Sequence, residues 1–174
     1  NGEIKYNGTA LSETDDRTSV EEIGFVMQNP ESGIVTDTVW HELAFTLENL
    51  GVNAKIIRRK VAEMASFFGI EEWFHKKTSE LSGGQKQLLN LAAVMVANPK
   101  VLLLDEPTAQ LDPISAANFI ATLKKINREL GLTVVLAEHR LEEVFPLADK
   151  VLMLESGKKE FFDNPKNIVS YFDR

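Results

Sequence analysis

An α/β fold built on a parallel sheet is what this sequence predicts, and three features predict it. VLLLDEP at 101–107 is a continuous apolar run ending in two carboxylates, the pattern of a buried parallel strand whose C-terminal edge opens onto a site. LTVVLA at 132–137 is a second such run. Stretches with helical apolar spacing alternate with these strands, and a helix-rich segment from about 38 to 97 inserts between them.

The first element is hairpin-like: EIKYNGTAL holds the end of one strand, a turn at Asn7–Gly8 and another short strand. SETDDRTS at 12–19 reads as a polar loop, and IGFVMQ at 23–28 as a short buried strand stopped by Asn29–Pro30. From about Thr38, Val39, Leu43, Leu47 and Leu50 form one helical stripe that ends at Gly51. Ile57, Val61, Met64 and Phe68 repeat it up to Gly69, and a third helix is expected from about Gly84 to Ala97, closed by Asn98–Pro99. After the VLLLDEP strand, Phe119, Leu123, Ile126 and Leu130 make 114–130 amphipathic, with Gly131 as its C-cap. Beyond LTVVLA come a short helical segment at 141–148, KVLMLE as a third strand of this part, a turn at Ser156–Gly157, KEFF as a fourth, and a terminal helix from Pro165 to Phe172.

Composition narrows the function classes. The 174 residues are 44% hydrophobic and 26% charged, which fits one globular domain with a real core and excludes a disordered tail. A net charge of −7 argues against a partner bound through phosphate neutralisation, so no nucleic acid is expected. The absence of cysteine excludes disulfides and thiolate metal sites. Runs such as LAAVMVA at 91–97 are far shorter than the roughly 20 residues a membrane-spanning helix needs.

The candidate functional residues sit at strand ends and turns. Asp105 and Glu106 close the VLLLDEP strand, where one carboxylate can hold a hard cation such as Mg2+ while the next orients a water; a solvated strand end gives the same pair. Gln28 ends the preceding strand and can ligate a metal or a water, or serve ordinary turn chemistry. LSGGQKQ begins at Leu81 as a Gly-Gly turn leading into a helix, an arrangement whose backbone N–H groups suit an anion. Asp112 precedes Pro113 as a helix N-cap, and His139 follows LTVVLA at the carboxyl edge of the sheet. His41 and His75, in or beside helices, are read as surface or packed residues.

Taken in order, Gln28, LSGGQ at 81–85, VLLLDEP at 101–107, Leu111–Asp112 and His139 resemble the Q-loop, signature, Walker B, D-loop and H-loop of the ATP-binding cassette family. The resemblance covers nearly the whole chain. It implies a P-loop NTPase-like (RecA-like) parallel-sheet core made of 1–28 and 98–174, with about 29–97 as the inserted helical subdomain that carries the signature. It also implies an ATPase whose cofactors are ATP and Mg2+ and in which two such domains close head to tail over two nucleotides. Asp105 would hold Mg2+ through water, Glu106 would polarise the attacking water, and Gln28 would contact both and report on a transmembrane partner. His139 would contact the γ-phosphate and Asp112 would cross the dimer interface. Leu81, Ser82, Gly83, Gly84 and Gln85 would address the ATP of the opposite domain.

Two departures from the family pattern stand out. Leu88 occupies a position that often carries Arg. No Gly-x-x-x-x-Gly-Lys-Ser/Thr occurs: the only Gly-Lys pair, Gly157–Lys158, has Leu152 where the first glycine should stand. The resemblance puts that P-loop, an adenine-stacking aromatic and the first strands ahead of Asn1. The expectation is therefore of a partial domain that on its own neither binds ATP tightly nor hydrolyses it, with an open sheet edge that favours oligomerisation.

NPESGIVTDTVWHELAFTLENLGV and AEHRLEEVFPLADKVLML resemble the corresponding stretches of energy-coupling-factor importer ATPases. That resemblance implies a peripheral location on the cytoplasmic face of the membrane. A transmembrane subunit would dock near Gln28–Leu50, and the substrate would be a vitamin or metal ion chosen by that subunit. The competing classes are a soluble cassette ATPase and a non-catalytic binding fragment.

Overall fold

The computed structural model describes residues 3–139 and 141–172, and the chain divides into two compact units, 1–137 and 138–174. In the first unit β1 (Lys5–Tyr6) pairs antiparallel with β2 (Thr9–Ala10). Asn7 and Gly8 between them have φ of 50° and 86°, as a two-residue hairpin turn requires. The expected polar loop at 12–19 is instead largely structured: a 3-10 turn at Leu11–Glu13 leads into helix α1 (Asp16–Glu22). Asp15 caps α1 by accepting from the Thr18 N–H at 3.2 Å, and Arg17 pairs with Glu21 one turn on. No residue of α1 is fully buried, so no apolar stripe marks it in the sequence.

Three strands form the parallel sheet of this unit, in the order β3 (Ile23–Val26), β4 (Val101–Asp105), β5 (Thr133–Ala137). Register pairs Val26 with Leu104 and Asp105 with Ala137. One face is closed by helix α5 (Gly83–Met95): a Cβ on Gly24 would lie 2.4 Å from Val94 Cγ1, so the helix rests directly on β3. Val26, Leu102 and Leu104 share that covered face and are buried. Phe25 and Val135 point the other way and are 50% and 54% exposed. The expectation that these strands are buried holds for one face only: β3 and β5 are the edges of the described sheet, and alternate residues of both stay open.

Helical segments join these strands. The single turn α2 (Pro30–Gly33), α3 (Val39–Asn49) and α4 (Ala54–Phe68) precede α5, and α6 (Pro113–Leu130) connects β4 to β5. Asn53 caps α4, and Gly69 and Gly131 end α4 and α6 in left-handed conformation with φ of 67°. Val39, Leu43 and Leu47 of α3, Ile57, Val61 and Ala65 of α4 and Leu89, Ala92 and Val96 form one apolar cluster. Burying a side chain of Leu or Ile size contributes about 1.5–3 kcal/mol, so this cluster carries much of the stability of the helical layer. A buried carboxylate, Glu42, accepts from the N–H groups of Val35 and Thr36 and from the Thr36 hydroxyl, which ties the loop before α3 to that helix.

At the amino ends of β3 and β4 a second polar cluster closes the sheet. Glu22 accepts from the Tyr6 hydroxyl at 2.7 Å and pairs with Lys100, and the Lys100 N–H donates to the Glu22 carbonyl at 2.8 Å. Hydrogen bonds from Lys100 and Tyr6 hold the Glu22 carboxyl below its ordinary range, and Glu22 in turn raises both partners.

In the second unit a turn of helix, α7 (Leu141–Val144), continues as a 3-10 turn at Phe145–Leu147. Strands β6 (Val151–Glu155) and β7 (Lys158–Asp163) follow, then α8 (Pro165–Phe172). KVLMLE and KEFF are strands joined by a turn, as expected, and β6 and β7 pair antiparallel with each other. Ser156 and Gly157, with φ of 49° and 76°, make the two-residue reversal that forces this pairing. Among the described residues, no helix is long and apolar enough to cross a membrane.

Candidate functional site

Two strands that run parallel in register end side by side, and the next residues meet. Two positions past the Val26–Leu104 pair, Gln28 Nε2 donates to Glu106 Oε2 at 3.0 Å. The strand itself stops at Asp105. Glu106 has φ of 43°, a left-handed conformation that costs a residue with a Cβ about 1–2 kcal/mol. Its N–H still donates to the Ala137 carbonyl at 2.9 Å, so the kink falls right at the last rung between β4 and β5. Through this bend two successive carboxylates escape the strict face-to-face alternation of a strand, and Asp105 stays exposed while Glu106 is half-buried.

Among the described residues, no group of three or more His, Cys, Asp or Glu could hold a metal ion unaided. Asp105 and Gln28 instead offer a small set of hard oxygen donors. That set fits Mg2+, which keeps several waters and takes its other ligands from phosphate oxygens.

A second cluster surrounds LSGGQ. Leu81 is buried, and Ser82 is the N-cap of α5. Ser82 Oγ accepts from the Gln85 N–H at 3.3 Å, while Gln85 Oε1 accepts from the Ser82 N–H at 2.9 Å. This reciprocal capping box fixes the turn and occupies both side chains. The N–H groups of Gly83 and Gly84 lie in the first helical turn, where no intrahelical acceptor is available, and are the donors left to address an anion.

Gly84 is a glycine for a different reason. A Cβ there would lie 2.6 Å from Ser115 Oγ and 2.8 Å from Ser115 Cβ. Ser115 Oγ donates to Asp112 Oδ2 at 2.6 Å, and Asp112 also caps α6 through the Ile114 and Ser115 N–H groups. These bonds, the Ser115 hydroxyl first, hold the Asp112 carboxyl below its ordinary value. One serine therefore links Asp112 to the signature turn within the same chain. Leu88, Trp73 and Phe119 line a cavity of about 200 Å3 beside Ser82 and Gly84, so the side chain at 88 contributes apolar surface there.

Sequence reasoning missed two carboxamides of α5. Gln87 is fully buried, and its Nε2 donates to the carbonyls of Met27 and Pro107, both at 3.0 Å. Asn90 Nδ2 donates to the Pro30 carbonyl at 2.8 Å and approaches Gln87 Oε1 at 3.4 Å. Lys86 pairs with Glu31 beside them. Gly33 makes room for this arrangement, since a Cβ on it would lie 2.8 Å from Asn90 Nδ2. Two amides three residues apart, Gln87 and Asn90, at the start of the stretch QLLNLAAVMV were the available signal.

The structure thus joins Gln28 and Glu106, next to Asp105, and joins Asp112 to the LSGGQ turn. His139 belongs to the second unit, where its N–H donates to Glu138 Oε2 at 3.1 Å and its carbonyl accepts from Leu141.

Comparison with known proteins gives a consistent picture. The family described as ABC transporter matches residues 1–109. A putative ABC transporter ATP-binding protein of Bacillus thuringiensis subsp. konkukian is 53% identical over 97% of this chain and 31% of its own length. One of Methanosarcina acetivorans is 34% identical over 97% of this chain and 52% of its own. The chain thus spans about a third of the length of its Bacillus relatives. Among solved structures, CbiO1 of Clostridium perfringens, part of the ABC transporter complex cbiONQ, superposes with a TM-score of 0.88 at 31% identity, over 99% of this chain and 70% of that one.

Proposed function

Because this chain belongs to the ABC transporter family, we propose that it works as part of an ATP-hydrolysing subunit that powers transport by nucleotide-driven association with a second such domain. The observation that carries the reading is the 3.0 Å contact between Gln28 and Glu106 at the carboxyl ends of adjacent parallel strands. ATP is the substrate. Glu106 accepts the proton of the attacking water or orients it, and Gln28 steadies that water and the carboxylate together. Asp105 would hold Mg2+, which would offset charge on the phosphates. His139 contacts the γ-phosphate.

From the opposite domain, Leu81–Gln85 present the Gly83 and Gly84 N–H groups to the same nucleotide, and Asp112 reaches across the interface. Each chain in this scheme reads a nucleotide carried by its partner. The segment 29–97 serves as the helical subdomain, and Gln28–Leu50 receives a transmembrane subunit. The resemblance to CbiO1 and the QNPESG and AEHRLEEV stretches favour an energy-coupling-factor importer for a vitamin or metal ion, with the ATPase peripheral on the cytoplasmic face.

The test is ATP hydrolysis by the whole purified protein. Glu106→Gln should lower turnover about a hundredfold or more while leaving ATP binding within about twofold. Hydrolysis that is indifferent to this substitution, or absent from the unmodified protein, would count against the reading. Residues 1–174 alone should show no tight ATP binding in a calorimetric titration.

A further inference from the structure

Gln87 lies five residues after Ser82 on α5, about 7–8 Å further along the helix. Its single Nε2 spends both protons on the carbonyls that flank Gln28 and Glu106, Met27 before the first and Pro107 after the second. Asn90 adds a third anchor at Pro30. The loop carrying Gln28 is consequently fastened to α5 on both sides, at 27 and at 30, and the bend at Glu106 is fastened to the same helix.

We propose that Gln87 is a positioning residue that couples the signature turn to the hydrolytic pair, by holding Gln28 and Glu106 at fixed distance from the helix whose first turn is Ser82–Gln85. The inference rests on the ATPase reading above.

Chemistry favours this over simple core filling. A fully buried amide is a costly filler compared with Leu or Met. The arrangement also leaves Asn90 Oδ1 buried without a hydrogen-bond partner. What the amides provide, and an apolar side chain cannot, is a directed grip on backbone carbonyls. α5 then acts as a rigid bar: a tilt imposed on its N-terminal turn by a nucleotide on the opposite domain moves Met27 and Pro107 with it. Because Gln28 and Glu106 are each one residue from a fastened carbonyl, the tilt alters the Gln28–Glu106 contact directly.

A double-mutant cycle in the whole protein tests it, with steady-state ATP hydrolysis and thermal unfolding as readouts. Gln87→Met removes both donors at nearly constant volume. It should lower kcat about tenfold or more, with KM for ATP within about twofold, and in a Gln28→Ala background it should cost less than about twofold further. An equal loss in both backgrounds would assign Gln87 a merely structural role and overturn the proposal, as would unchanged kcat. If Gln87→Met does not fold, Gln87→Asn, too short to reach both carbonyls, takes its place in the same cycle. An unmodified protein that hydrolyses ATP beside an unaffected Gln87 variant sinks this inference alone; an unmodified protein without hydrolysis sinks the proposed function as well.

Discussion

The same two strands, β3 and β4, are finished very differently at their two ends. At the amino end Glu22, Tyr6 and Lys100 satisfy one another, and a backbone hydrogen bond from Lys100 to Glu22 closes the cluster. At the carboxyl end Gln28 and Glu106 share one hydrogen bond, Asp105 is exposed, and Glu106 is held in a left-handed backbone. Opposite charges neutralise each other at one end, whereas two carboxylates stand together at the other. The first arrangement stabilises the fold, and the second presents carboxylate oxygens suited to a hard cation. A strained backbone at one strand end, beside a satisfied cluster at the other, is how a site can be told from a cap.

Substitutions that separate the two ends sharpen this contrast. The largest effect is expected for Glu106→Gly. Turnover of ATP should fall at least about a hundredfold, yet stability should rise by about 1 kcal/mol, because glycine accepts φ near 43° without penalty. A loss of stability in denaturant titration would show that the bend is not strained and would erase half of the comparison. Glu22→Gln should do the reverse: the thermal midpoint falls while turnover stays within about twofold. Should Glu22→Gln reduce turnover as much as it reduces stability, the amino end would have to be counted as part of the site.

The smallest effect is in pH dependence. Glu22 has a native carboxyl depressed below the ordinary 4.5, so the stability it supplies is complete above that unfolded value and is lost as pH falls through the native one. The stability gap between the unmodified protein and Glu22→Gln should therefore be constant near neutrality and narrow below about pH 4.5. A gap that stays constant down to pH 2–3, about two units below the reference value, would mean that the ion pair with Lys100 does not differ between folded and unfolded chains.

Much of this was legible in the sequence because local chemistry decided it. Gly69 and Gly131 end helices in left-handed conformation where the apolar stripes stop, and Asp112 caps α6 directly before Pro113. The strand ends at Gln28 and Glu106 were legible too, since parallel strands feed their carboxyl edges into one place. What escaped was decided by partners distant in the chain. α1 is held by a cap and by its junction with β3, so its polar surface looks like a loop. The exposure of Val135 depends on where the described sheet ends. Gln87 and Asn90 act on backbone carbonyls some 60 residues away, which no periodicity encodes.

Gly33 and Asn90 also set a rule for recombination. The turn after Gln28 fits over α5 only because position 33 has no side chain where the Asn90 amide stands. A chimera that swaps this loop between related cassettes without the matching helix would bring together pieces that never met, so the two segments are exchangeable only as one inherited block.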